Sequence, residues 1–165
     1  MSTTVKIEDA SIKHLDRLFE IEMECFKSEA FTKQQIAQLL TNQNCVSLIA
    51  LENDKIIGFI IGMVYIEGNI LTGHILTIDV SPSHRRRGIG IKLLQELEKI
   101  FKNRGVKVSR LEVREDNIAA LNLYQKLGYK KVGKLHNYYG DVHGIVLKKV
   151  LVEELGNLSK RGLQY

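Results

Sequence analysis

Between Thr77 and Gly90 the chain reads T-I-D-V-S-P-S-H-R-R-R-G-I-G. A β-branched run from Ile75 to Val80 stops at Pro82, the only proline in the chain. Arg85, Arg86 and Arg87 follow, then Gly88-Ile89-Gly90, and a helical pattern opens at Ile91. A strand that delivers a basic glycine turn to a helix start is suited to holding an anion. The N–H groups of the first helical turn have no partner inside the helix, and the dipole adds positive potential. Glycine lets the backbone approach a ligand with no Cβ in the way. The chemistry expected of this stretch is pyrophosphate binding. Two common phosphate loops do not fit it. A Walker A loop needs Lys-Ser or Lys-Thr after its last glycine, and none follows Gly90. A dinucleotide fingerprint needs a third glycine where this chain has Leu93, and it belongs near the start of its fold.

Other reactive side chains are fewer. Glu112 stands between Leu111 and Val113, which point to the opposite face of a strand, so the acid has apolar neighbours on either side in sequence. Burial there would raise its pKa toward a working range; the other reading is an ion pair with Arg114 on the same face. Cys25 and Cys45 have no adjacent histidine, which argues against a cysteine nucleophile. His14, His74, His84, His136 and His143 are scattered without ligand spacing, so no metal is expected.

The elements that must position these groups follow in order. Val5 and Ile7 open a short strand, and Ser11 can cap a helix carrying Ile12, Leu15, Leu18, Phe19, Met23 and Phe26. Thr32 with Gln35 forms a capping-box pattern before a second helix at Ile36, Leu39 and Leu40. Residues 46–51 and 56–66 read as two strands around a turn at 52–55, with Gly58 and Gly62 weakening the second or admitting a close neighbour. A strand over 76–80 leads into the glycine turn and then a helix ending at Asn103-Arg104-Gly105. A strand over 106–113 precedes a helix capped by Asp116 or Asn117 and closed by Gly128. Segments 129–135 and 142–151 read as a final hairpin around Asn137 to Gly140. The pattern predicts an α/β (α+β) domain over 1–151, with a mixed, mostly antiparallel sheet and helices on both faces. The strand–helix–strand crossover over 75–113 requires one central parallel pair. A flexible polar tail is expected over 152–165.

Composition sets the remaining bounds. The 165 residues, 44% hydrophobic and 26% charged, suit a single globular domain. No apolar run is long enough for a membrane span, and the first residues lack a signal-peptide pattern, so no membrane partner is expected. Two cysteines make no disulfide framework, which points to a reducing cytoplasm. A net charge of +5 suits an anionic ligand, small molecule or nucleic acid alike.

Arg85-x-x-Gly88-x-Gly90 after a strand matches the [Q/R]-x-x-G-x-[G/A] pattern that binds coenzyme A pyrophosphate in the GNAT acetyltransferase superfamily. Further along come Leu111-Glu112-Val113-Arg114, Asn117, Ala120-Leu121-x-Leu123-Tyr124-x-x-Leu127-Gly128-Tyr129 and Asn137-Tyr138-Tyr139. In this order they resemble the RimI-like N-terminal protein acetyltransferases, over about residues 5 to 150. The resemblance implies a GNAT fold with a sheet of about seven strands, acetyl-CoA as co-substrate, and protein or peptide N-termini as acceptors. It implies that the backbone of Ile78, Asp79 and Val80 meets the pantetheine arm. Arg85, Arg86, Arg87, Gly88, Ile89, Gly90 and Ile91 would hold the pyrophosphate, and Asn117 would touch the cofactor arm. Glu112 takes the general-base position and Tyr124 the general-acid position, beside the leaving thiolate. A phenol of ordinary pKa about 10 would return a proton to a thiolate of about 8.5. Phe26, Glu29 and Phe31 would form one wall of the acceptor entrance, and Tyr138 and Tyr139 the other. Some related enzymes pair a tyrosine on the preceding strand with a histidine at the position of Glu112; here those positions hold His74 and Glu112. His74 is thereby a candidate assistant, with a plain surface histidine as the other reading.

Direct transfer requires a neutral amine. At pH 7 this costs about 1.4 kcal/mol for an α-amine and about 4.6 kcal/mol for a lysine side chain. A single carboxylate base suits the first better. A lysine or small-molecule amine acetyltransferase is the alternative within the fold. A basic nucleic-acid-binding module is the alternative outside it, and the sequence contains no reading motif to support that.

Overall fold

The computed structural model describes residues 4–152. Of the tail expected to be flexible, all but Val152 lies outside the described residues. Seven strands form one sheet in the order β1-β2-β3-β4-β5-β7-β6. The elements are β1 Lys6–Asp9, α1 Leu15–Cys25, α2 Lys33–Thr41, β2 Cys45–Glu52, β3 Lys55–Glu67, β4 Ile70–Val80, α3 Ile89–Asn103, β5 Val108–Arg114, α4 Ile118–Lys126, β6 Lys130–Tyr139 and β7 Val142–Val150. All neighbouring strands are antiparallel except β4 and β5, the pair joined through α3. This is the mixed sheet with one parallel pair that the crossover demands.

Each face of the sheet has its own core. Leu93, Leu94, Leu97 and Phe101 of α3 pack with Ile60, Ile75, Leu111 and Val113 on one side. Leu18 and Ile21 of α1 and Ile36 of α2 pack with Ile49, Phe59 and Ile61 on the other. Each such fully buried side chain contributes about 1.5–3 kcal/mol. Phe101 explains two glycines. A Cβ at Gly62 or Gly73 would come within 2.6 or 2.4 Å of its ring, so β3 and β4 are smooth where α3 crosses them. Of the two readings of Gly62, the close neighbour is the one observed.

Local signals place most boundaries. Thr32 Oγ1 accepts from Gln35 N at 3.1 Å and Gln35 Oε1 from Thr32 N at 2.9 Å, which is the expected capping box at the start of α2. Besides shifts of one or two residues at other ends, three boundaries differ from the sequence reading. Ser11 precedes a 3-10 turn, Ile12–His14, before α1 begins. β4 starts at Ile70, after a turn at Gly68 and Asn69 in left-handed backbone, and not at residue 76. β6 runs through Tyr139, so the hairpin turn is Gly140 and Asp141 and the two tyrosines belong to a strand.

Candidate active site

β4 and β5 are paired only at Thr72–Val108, Gly73–Ser109 and His74–Arg110. Beyond these, β4 continues beside β3 to Val80 and β5 beside β7 to Arg114, so the two strands part. The change is marked on β4 by a bulge, for Ile61 faces Thr77 while Gly62 faces Ile75. A cleft of about 820 Å³ opens along the parting. Phe26, Glu29, Phe31, Ile78, Glu112, Asn117, Tyr124, Tyr138 and Tyr139, all singled out from sequence, line it together.

The period of two along β5 sets the acid's direction. Leu111 and Val113 join the core under α3, so Glu112 and Arg114 project to the α1–α2 side. Tyr124, on α4, packs against the α3-side core and reaches the same cleft from behind the sheet. The carboxyl and the phenol therefore approach the parted strands from opposite faces.

The Glu112 side chain is only 8% exposed. His74 Nε2 donates to its Oε2 at 2.6 Å, and Arg110 Nε donates to its Oε1 at 3.1 Å. Burial pushes the carboxyl up, but the His74 hydrogen bond and the charges of His74 and Arg110 outweigh it, leaving Glu112 below the ordinary carboxylate range. This corrects the expectation that burial alone would raise it. Arg114 is not its partner either, being bonded to Glu29 Oε1 at 2.6 Å and to Asp116. His74 belongs to the middle of the sheet and to Glu112, not to an exposed edge. Arg110 was missed altogether. The only sequence signal for it was its position two residues before Glu112, symmetrical with Arg114.

Burial drives the Tyr124 phenol up to about 12, so it keeps its proton throughout the neutral range. A phenol so raised is a hydrogen-bond donor first and a proton donor only against a strong base, which tempers the simple transfer expected from its ordinary pKa. Burial also raises Tyr138, and it lifts Tyr139 to about 12 with help from Tyr138 and Glu112. Their rings meet edge to face at 4.9 Å. Arg114 lies 5.6 Å from the Tyr139 ring centre while holding Glu29, so it links the two aromatic walls across the cleft mouth.

The basic turn lies at the end of β4. Gly88, with φ 74°, is the N-cap of α3, and Arg86 is also left-handed at φ 62°. The helix starts at Ile89, so Gly90 falls in its first turn, where an added Cβ would lie 3.9 Å from the Ile78 side chain. Gly90 thus packs against Ile78, which lines the cleft, while Arg85 to Ile91 themselves do not line it. The three arginines diverge. Arg85 Nε donates to the Val80 carbonyl at 3.2 Å, Arg86 is exposed, and Arg87 is engaged by the Glu52 carboxylate. Ile89 turns its side chain into the core, leaving only its backbone for a ligand. Asn117 is the N-cap of α4, accepting from Ala120 N at 3.1 Å. Asp79 and Val80 do not line the cleft. Asp79 turns inward toward α1, where it is 1% exposed, a placement that its role as a backbone contact had not suggested.

The chain matches the sequence pattern of the acetyltransferase (GNAT) family over residues 15–129. It is 30% identical over 140 residues to N-alpha-acetyltransferase 30 of Schizosaccharomyces pombe, covering 84% of this chain and 91% of that protein. It is 36% identical over 93 residues to the ribosomal protein bS18-alanine N-acetyltransferase of Escherichia coli, covering 56% of this chain and 60% of that one. The crystal structure of the Escherichia coli ribosomal-protein-S18-alanine N-acetyltransferase superposes with a TM-score of 0.83 at 24% identity, covering 93% and 98% of the two chains, a likeness of fold.

Proposed function

Because the chain belongs to the acetyltransferase (GNAT) family, we propose that it transfers the acetyl group of acetyl-CoA to the α-amine of protein or peptide N-termini. The observation that carries this reading is Glu112, a buried carboxylate held by His74 and Arg110, facing Tyr124 across the parted strands. The curated relatives matched above are named for the same activity.

The residues present fit the co-substrate. The left-handed turn at Arg86 and Gly88 sets the start of α3 against Ile78 and Val80, and the free amides of a helix start suit a pyrophosphate. Gly88 to Ile91 would hold it by backbone, with Arg85 and Arg86 supplying charge; Arg87 joins them only by leaving Glu52. The unpaired side of β4 from Ile78 to Val80 would receive the pantetheine arm. When bound, acetyl-CoA supplies a thioester, whose carbonyl is open to an amine.

The acceptor enters between Phe26 and Phe31 on one side and Tyr138 and Tyr139 on the other, the aromatic lining of the cleft. Glu112 is ionised at neutral pH; it takes one proton from the incoming ammonium, which passes on to solvent, and leaves the neutral amine as the nucleophile. As the amine attacks, the proton it sheds moves onto the Glu112 carboxylate, which the hydrogen bonds of His74 and Arg110 hold in place. β4 amides face the carbonyl oxygen, where charge develops. The Tyr124 hydroxyl donates to the departing sulfur, and the proton taken from the amine balances the thiol finally released. A reducing cytoplasm suits this chemistry and the free thiols of Cys25 and Cys45.

The test is a set of peptides varied in their first two residues, offered with acetyl-CoA beside N-terminally blocked, lysine-containing peptides and polyamines. Mass spectrometry is expected to find the label on free N-termini. Label confined to lysine side chains or polyamines would overturn the acceptor assignment.

A further inference from the structure

Beneath the acceptor wall lies a second pair of acids with no part in the steps above. Asp79 of β4 and Glu22 of α1 are each 1% exposed. The Thr77 hydroxyl stands between them, 3.2 Å from Glu22 Oε2 and in close contact with Asp79 Oδ1. A hydroxyl has one proton to donate. It serves one carboxylate, and the other contact is a hydrogen bond only if that carboxyl brings its own proton. Glu22 is the better-served anion, since its Oε1 also accepts from Phe31 N at 3.2 Å. Asp79 Oδ2 has no hydrogen-bond partner among the described residues. An ionised carboxylate so placed would be costly, whereas a neutral acid leaves only a carbonyl oxygen unmatched. The proton therefore belongs to Asp79, which donates to Thr77, which donates to Glu22.

The surroundings agree. Glu22 and Cys25 face Asp79 from α1, Arg85 approaches from the turn after β4, and β3 places the uncharged Phe59 opposite. Of the charged groups only Arg85 favours an ionised Asp79; burial, then Glu22, push its carboxyl up to about 10.

We propose that Asp79, Thr77 and Glu22 form a proton-sharing bridge that fixes the acceptor wall to β4, with Glu22 a positioning residue for the acceptor. One end of the bridge holds the backbone of Phe31, in the loop that carries Phe26 and Glu29. The other end is built into β4 beside the backbone assigned to the thioester. A single chain of hydrogen bonds thus sets the distance between acceptor wall and acetyl donor. The role of the wall rests on the acetyl-transfer reading; the shared proton does not.

Infrared spectroscopy of the full-length protein at pH 7 tests the proton. The carbonyl stretch of a protonated carboxylic acid is expected in the wild type and absent in Asp79→Asn. Steady-state kinetics tests the positioning. Thr77→Val is expected to raise the peptide KM about fivefold, the worth of one hydrogen bond, while calorimetry finds acetyl-CoA affinity unchanged. Thr77→Ser, which keeps the hydroxyl, restores the peptide KM. A wild type without the acid band overturns the shared proton, and Thr77→Val with a wild-type peptide KM overturns the positioning role. A protein that keeps the band yet acetylates no amine supports the bridge and overturns the acetyl-transfer reading instead.

Discussion

Arg110 and His74 give Glu112 a character that its sequence neighbours do not. Flanked by Leu111 and Val113, the acid reads as a carboxyl raised by burial; in the fold, two cationic or hydrogen-bonding partners reverse the sign. Its ionised form is therefore the resting form, and it is lost only as pH falls through its depressed pKa. Glu112→Gln should lower kcat by about 10²-fold with acetyl-CoA affinity within about twofold, measured by steady-state kinetics and calorimetry. Arg110→Met removes a charge that holds the carboxyl down, so the acid limb of the kcat/KM profile should move to higher pH. A limb that stays in place would show that Arg110 does not tune Glu112. The presence of Glu112 and Tyr124 in one cleft was legible from the motifs that carry them. The partners were not, because the contact of His74 with Glu112 spans 38 residues and depends on the register of a parallel pair.

At the scale of elements, boundaries with chemical punctuation were readable. The Thr32–Gln35 box and the glycines after α3 and α4 mark ends by local hydrogen bonding and backbone conformation. The early half of β4 was not readable, since Gly73 looks like a break in a strand. Its lack of a side chain answers to Phe101, nearly thirty residues away in α3. Gly73→Ala should therefore destabilise the fold by about 1–3 kcal/mol through overpacking, seen as a lower denaturation midpoint with unchanged slope. Phe101→Leu in the same background should recover part of that loss. Without such recovery, the glycine would owe its place to something other than the ring.

For the whole molecule, the buried Asp79 links stability to pH. Its folded pKa, about 10, lies above the ordinary carboxylate value of the unfolded chain. The folded state therefore keeps a proton that the unfolded state releases. The contribution is fully present below the unfolded pKa and declines as pH rises toward the folded one. Melting temperatures of the wild type and Asp79→Asn, taken from pH 5 to pH 9, should thus diverge, with the wild type losing ground as pH rises. Parallel curves would place Asp79 in its ionised form. The layered architecture itself was legible, because alternating strands and amphipathic helices admit few arrangements once one crossover is fixed. The acid pair was not, since Asp79 and Glu22 lie on elements that only the completed α1-side core brings together.

The parting of β4 and β5 means that the centre of the sheet contains two edges. Amides there have solvent, not a neighbouring strand, as their exchange partner, although they lie between the most enclosed layers of the protein. Hydrogen–deuterium exchange should find the slot-facing amides of 75–80 and 111–114 far less protected than those of the paired segment at 72–74 and 108–110. Coenzyme A laid along β4 would complete the ladder as an added strand does, slowing exchange on that side while leaving the periphery unchanged. Ligand binding in this fold would then register as a change in its interior, and the sheet would be most rigid only while engaged.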